Sequence, residues 1–127
     1  MPMYRVLIIE DEPAYSKILA ETFTKEQFAV TVAKDVKEGI LEVVKNHFDA
    51  ILLDIMLPGG MNGFDLLERL KASKSTKDVP VIVITNLATE EVVAKKIGAA
   101  CYFIKAETTI EQIVLKVKEL IFRGLVQ

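Results

Sequence analysis

Five runs of aliphatic and β-branched residues alternate along this chain with five stretches whose apolar positions recur at helical spacing. Strands alternating with helix-length amphipathic segments are the pattern of a parallel sheet with helical crossovers. The first run, Arg5 to Ile9, leads into a helix from Pro13, a residue suited to a first helical position, to about Glu26. A second strand over Ala29 to Ala33 is followed by Asp35, a capping residue for a helix that reaches about Asn46. The third run, Ala50 to Leu53, is apolar throughout, as expected of a strand covered on both faces. A loop from Pro58 to Gly63 precedes a helix over about Phe64 to Ala72, and a polar linker, Ser73 to Asp78, leads through Pro80 to a strand over Val81 to Ile84. The spacing then predicts a helix from about Thr89 to Ile97 ended by Gly98, and a strand from about Ala100 to Ile104. A last helix begins near Thr108, with Ile110, Ile113, Val114, Val117, Leu120 and Ile121 on one face.

Four of the five runs stop on a different polar residue: Ile9 on Glu10 and Asp11, Leu53 on Asp54, Ile84 on Thr85, and Ile104 on Lys105. In a parallel sheet these converge at the carboxyl edge, where open α/β sheets bind ligands. Gathered carboxylates repel one another by about 4 kcal/mol at about 4 Å and an effective dielectric of about 20, so something positive must relieve them. A hard divalent cation such as Mg²⁺ takes oxygen ligands and keeps positions open for water or a phosphate oxygen. Taken alone, Glu10, Asp11 and Glu12 also read as a solvated acidic loop, and Asp54 as a turn or cap residue. Beside a metal, a hydroxyl and an ammonium, Asp54 reads instead as a carboxylate nucleophile that accepts a phosphoryl group. Lys105 would then offset charge on the phosphoryl oxygens and Thr85 would donate to one of them.

Composition narrows the remaining classes. A chain of 127 residues, 51% hydrophobic and 27% charged, suits one domain spanning residues 1–127 with its own core. A net charge of −2 gives no reason to expect binding to nucleic acid, which relies on Lys and Arg to displace counterions. The single cysteine, Cys101, reads as a small buried hydrophobe without a disulfide partner, in keeping with a reducing cytoplasm. No stretch approaches the roughly 18–20 apolar residues a bilayer needs, and Met1 to Arg5 leads into a strand rather than a signal peptide.

The ordered set of motifs resembles the receiver domains of two-component response regulators over essentially the whole chain. The segments that carry it are Val6 to Pro13, Ile51 to Pro58 with Gly63 beyond, Val81 to Thr85, and Gly98 through Tyr102 to Lys105. The resemblance implies a flavodoxin-like (βα)5 fold, a doubly wound five-stranded parallel sheet of order 2-1-3-4-5. It implies Asp54 as the acceptor of a phosphoryl group from a sensor histidine kinase or phosphotransfer protein. It further implies Mg²⁺ held by Glu10 or Asp11, by Asp54 and by the main-chain carbonyl of Met56. Thr85 and Tyr102 would form a switch, Thr85 moving toward the phosphoryl group and Tyr102 turning inward behind it. The surface of helix four, strand five and helix five would change for a downstream protein target or a homodimer. Such a chain accepts the group on itself and is not a turnover enzyme.

Several positions depart from the family's pattern. The loop after Asp54 is one residue longer, with Gly59 and Gly60 supplying slack. Asn86 replaces a small residue after Thr85, so that access is narrowed or a hydrogen bond is added. Ala106 replaces the usual proline after Lys105, where a cis bond would cost about 2.5–4 kcal/mol, so the bond is expected to be trans with a shifted loop or else cis under strain. Met56 and Leu87, two residues beyond Asp54 and Thr85, are apolar and cannot orient water, which suggests a long-lived phosphoryl-aspartate. Leu115 and Phe122 lie off the core stripe of the last helix, and His47 is placed at a helix C-terminus away from the acidic edge.

Two rivals follow. A flavodoxin shares the fold, but Glu10, Asp11 and Glu12 would repel the flavin phosphate. The other is a receiver-like interaction or dimerisation module that works without phosphorylation. The chain reads either as a stand-alone regulator or as a receiver cut from a longer protein.

Overall fold

The computed structural model describes residues 3–58 and 62–125. Its strands are β1 (Arg5–Ile9), β2 (Ala29–Ala33), β3 (Ala50–Leu53), β4 (Val81–Thr85) and β5 (Cys101–Ile104). Its helices are α1 (Pro13–Lys25), α2 (Val36–Lys45), α3 (Gly63–Ala72), α4 (Glu91–Ile97) and α5 (Ile110–Leu125), with a 3-10 turn over Lys105–Glu107 before α5. All strand pairs are parallel, in the order β2-β1-β3-β4-β5. This is the flavodoxin-like architecture that the alternating pattern and the family resemblance lead one to expect.

Side chains of successive strand residues face opposite ways, and the two faces build separate cores. Leu7, Ile9, Ile51, Leu53, Val81 and Val83 pack with Val36, Leu66, Leu67, Leu70 and Ala94 of α2, α3 and α4. Val6, Ile8, Leu52, Ile82 and Ile84 pack with Leu19 and Phe23 of α1 and with Ile113, Val114, Val117 and Ile121 of α5. Every residue of β3 is buried, as its uninterrupted apolar run requires. Cys101 is only partly buried, at the margin of the second core, because β5 is an edge strand.

Local chemistry sets the ends. Asp35 accepts from the Glu38 N–H at 2.8 Å and caps α2 as its sequence position indicates. Gly98 ends α4 at φ 134°, a conformation open to glycine, and a Cβ there would also meet the Lys71 stem at 2.9 Å. Helix α4 begins at Glu91 rather than Thr89, with Glu90 at the N-cap position but no side-chain cap bond. Helix α5 begins at Ile110 rather than near Thr108, because Thr109 and Gln112 exchange side chain to backbone hydrogen bonds at 3.1 and 2.8 Å and fix the start. His47 lies past the end of α2, where it faces Asp49 at 3.8 Å at the amino edge of the sheet and not within the last helical turn. No peptide bond among the described residues is cis, so the Lys105–Ala106 bond takes the trans alternative, within the 3-10 turn.

Candidate functional site

Register brings the strand ends to one edge. Ile9 pairs with Leu53, Leu53 with Val83, Val83 with Tyr102 and Thr85 with Ile104. Glu10, Asp54, Thr85 and Lys105 therefore emerge side by side, and the ladder continues into the first two: the Glu10 N–H donates to the Ala33 carbonyl and the Asp54 N–H to the Ile9 carbonyl, each at 3.0 Å.

Lys105 is the hub. Its Nζ lies 2.8 Å from Glu10 Oε1, 2.8 Å from Asp54 Oδ2 and 2.5 Å from Glu12 Oε1. The Lys105, Glu10 and Asp54 side chains are only 7%, 3% and 5% exposed, whereas Glu12 is largely open to water. Glu10 and Asp54 also accept backbone donors, Glu12 N–H at 3.0 Å and Met56 N–H at 2.9 Å. The Tyr15 ring covers the ammonium, its centroid 4.8 Å from Nζ, and the buried Tyr15 hydroxyl has no hydrogen-bond partner among the described residues.

One ammonium among three carboxylates leaves the pocket acidic, and the pKa shifts follow. Burial pulls the Lys105 ammonium down, but hydrogen bonds to Asp54, Glu10 and Glu12 outweigh it and hold the group well above the ordinary lysine value. Burial raises the Glu10 carboxyl, with Lys105 and the Glu12 N–H opposing it only in part. Burial likewise raises Tyr15. Among the described residues, Glu10, Glu12 and Asp54 form the group able to hold a metal, their oxygens lying within 4.8 Å of one another. An all-oxygen, anionic donor set suits a hard cation such as Mg²⁺.

Asp11, named with Glu10 as a metal ligand, is exposed and is not among these three carboxylates. Met56 places its N–H on Asp54, with its side chain exposed. Thr85 is fully buried and its hydroxyl accepts from Leu87 N–H at 3.4 Å. Tyr102 is buried in the first core, and its hydroxyl donates to the Leu87 carbonyl in a short hydrogen bond. Its ring lies inward, with the Leu87 carbonyl as acceptor for the phenol. Tyr15 escaped the sequence reading; its one signal was its place one helical turn after Glu12 at the start of α1. The lengthened loop centred on Gly59 and Gly60 lies outside the described residues.

Gly63 fixes the backbone beneath Asp54. A Cβ there would sit 2.3 Å from Ile55 Cα and 2.8 Å from the Asp54 carbonyl, so no side chain fits without moving the acceptor strand. Gly63→Ala is expected to destabilise the chain by about 1–3 kcal/mol, read as a lower denaturant midpoint. An unchanged midpoint would mean that the loop tolerates the shift.

Comparison with known proteins agrees with this geometry. The family model described as the response regulator receiver domain matches residues 6–118. The sensory transduction protein RegX3 of Mycolicibacterium smegmatis is 36% identical over 124 residues, covering 96% of this chain and 52% of RegX3. The chain thus spans about half the length of that relative. A CheY-like receiver domain from Methanospirillum hungatei superimposes with a TM-score of 0.88 at 27% identity, covering 96% of each chain. The response regulator TrrA of Thermotoga maritima, solved in complex with Mg(2+)-BeF, gives 0.83 at 25% identity, covering 93% of this chain and 99% of TrrA. With the motifs in order, the sheet order shared and an acidic pocket at the carboxyl edge, the chain belongs to the receiver domains of two-component response regulators.

Proposed function

We propose that the chain is a phosphorylation-controlled receiver in which Asp54 accepts a phosphoryl group from the phosphohistidine of a kinase or phosphotransfer protein. The observation that carries this reading is the buried Asp54 carboxylate held 2.8 Å from a buried lysine in an acidic pocket. An Asp54 oxygen attacks phosphorus, the P–N bond to the donor histidine breaks, and the leaving imidazole keeps the N–P electron pair and takes up a proton. Lys105 moves its hydrogen bond from the carboxylate to a phosphoryl oxygen, and Thr85 supplies a second donor, since its own proton is given to no acceptor among the described residues. Mg²⁺, held by Glu10 or Asp11, Asp54 and the Met56 carbonyl, would supply positive charge against the phosphoryl oxygens.

The added charge favours one of two arrangements of the switch residues Thr85 and Tyr102. The readout would be the face of α4, β5 and α5, where Val92, Val93, Leu115 and Phe122 are exposed, engaging a downstream protein or a second copy. No helix among the described residues is long and apolar enough to cross a membrane. The proposed role is that of a cytoplasmic, stoichiometric acceptor rather than a turnover enzyme. Titration with Mg²⁺ and beryllofluoride tests the reading. Binding is expected in the unaltered chain and not in Asp54→Ala; no binding, or equal binding by the variant, would favour an interaction module that works without phosphorylation.

The lifetime of the phosphorylated state has its own expectation. The Leu87 side chain packs against the first core and Met56 presents a thioether to solvent, so neither holds an attacking water by a strong hydrogen bond. The phosphoryl group is expected to persist for minutes or longer in purified protein, followed by intact mass. Decay within seconds would contradict this.

A further inference from the structure

The two residues that break the family's habit beside Thr85 and Lys105 meet each other. The Ala106 N–H donates to Asn86 Oδ1 at 3.2 Å. Thr85 and Ile104 form the last register pair of β4 and β5, and this bond continues the connection beyond it, a side chain now standing in for the ladder. It ties the loop after Thr85 to the 3-10 turn that carries Lys105. Within that turn the Thr108 N–H reaches the Lys105 carbonyl at 3.4 Å and the Thr108 hydroxyl donates to the Ile104 carbonyl at 2.8 Å, both local contacts that do not tie the turn to the loop after Thr85. A proline at 106 has no N–H to donate, so the acceptor at 86 and the free amide at 106 depend on each other.

The Lys105 ammonium is held by Glu10, Glu12 and Asp54 before phosphorylation. Once it turns to a phosphoryl oxygen, the contact with Asp54 no longer holds it, and its position depends more on its backbone. We propose that Asn86 is a positioning residue for Lys105: through the Ala106 amide it fixes the turn and keeps the ammonium aimed at the group on Asp54. This rests on Asp54 being the phosphoryl acceptor.

A double-mutant cycle read by Mg²⁺-dependent beryllofluoride affinity tests it. Both Asn86 and Ala106 are exposed, so the bond is worth a modest amount, and Asn86→Ala is expected to weaken affinity about two- to fivefold. The thermal midpoint of the ligand-free chain should fall only slightly, since the bond is exposed, and the Ala106 amide should exchange with solvent faster. In a Lys105→Ala background, Asn86→Ala should have no further effect, because there is no ammonium left to aim. If that background does not fold or no longer binds beryllofluoride, Ala106→Pro replaces it, and Asn86→Ala should again add nothing, the donor being already gone. Unchanged affinity in Asn86→Ala, or an equal loss in both backgrounds, would overturn the proposal while leaving Asp54 as acceptor. Failure of the unaltered chain to bind beryllofluoride would overturn the acceptor reading and this inference with it.

Discussion

Lys105→Met should lower the stability of the ligand-free chain by about 3 kcal/mol, more than any other single truncation at the site. The methionine stem fills the same space, so the loss isolates charge. Glu10 and Asp54 are almost fully buried, and without the ammonium they are left as like charges with only the backbone donors of Glu12 and Met56. Removing one partner of a buried ion pair costs about 3–5 kcal/mol, and the lower end applies because the Glu12 side of the pocket opens to water. The dependence on pH has a definite sign. Burial raises the folded-state Glu10 carboxyl above its unfolded value, so its charged form is a penalty that builds as pH rises from the unfolded value through the folded one and is absent below the unfolded value. Loss of Lys105 enlarges that penalty. The stability gap between Lys105→Met and the unaltered chain should therefore shrink as pH falls from neutrality toward the ordinary carboxylate range, measured by denaturant unfolding at several pH values. A gap constant with pH would show that lost packing, not the stranded carboxylates, carries the effect.

Glu10→Gln should move stability the other way. Three carboxylates crowd one ammonium, and burial disfavours the charge on Glu10 most directly. Glu12 N–H and Lys105 meet different oxygens of the carboxylate, so the amide keeps an acceptor for only one of them, but it removes one negative charge from a buried site, and the ligand-free chain should gain at most about 1 kcal/mol. The same change takes an anionic ligand from the pocket, and Mg²⁺ should bind about tenfold more weakly or worse, since affinity for hard cations follows ligand charge. Thermal unfolding with and without Mg²⁺ reads both effects. Glu10→Gln should melt higher than the unaltered chain without the ion and gain less from its addition. An undiminished gain from Mg²⁺ would remove Glu10 from the metal site. A lower melting temperature without Mg²⁺ would mean that the carboxylate supports the fold through Lys105 more than its burial opposes it.

The parts legible in the sequence were those set by period and by strand ends. An apolar run such as Ala50 to Leu53 can be buried on both faces only inside a sheet, and the residue that stops it must emerge at the edge, which located Glu10, Asp54, Thr85 and Lys105 together. Asp35 and Gly98 announced helix ends by chemistry that acts within a few residues. What depended on contacts between distant segments was not legible. The Tyr15 ring over Lys105 and the reach of Glu12 to the same ammonium arise from where α1 leaves β1, and no local pattern encodes that angle. Asp11 and Glu12 are adjacent acids, and only the folded bend turns one outward and the other to the lysine. Tyr102 lies inward because Leu87, fifteen residues earlier, presents a carbonyl to its hydroxyl. Asn86 and Ala106 each looked like a separate departure until the sheet brought them within hydrogen-bond distance.

Phosphorylation of Asp54 is tested most directly by intact mass after incubation with a small-molecule phosphodonor. With Mg²⁺ present, the chain should gain the mass of a single phosphoryl group, mapped to Asp54 after reductive trapping, with no gain in Asp54→Ala or when the metal is chelated. Phosphoryl incorporation at another residue, or none in the folded, Mg²⁺-supplied chain, would contradict it.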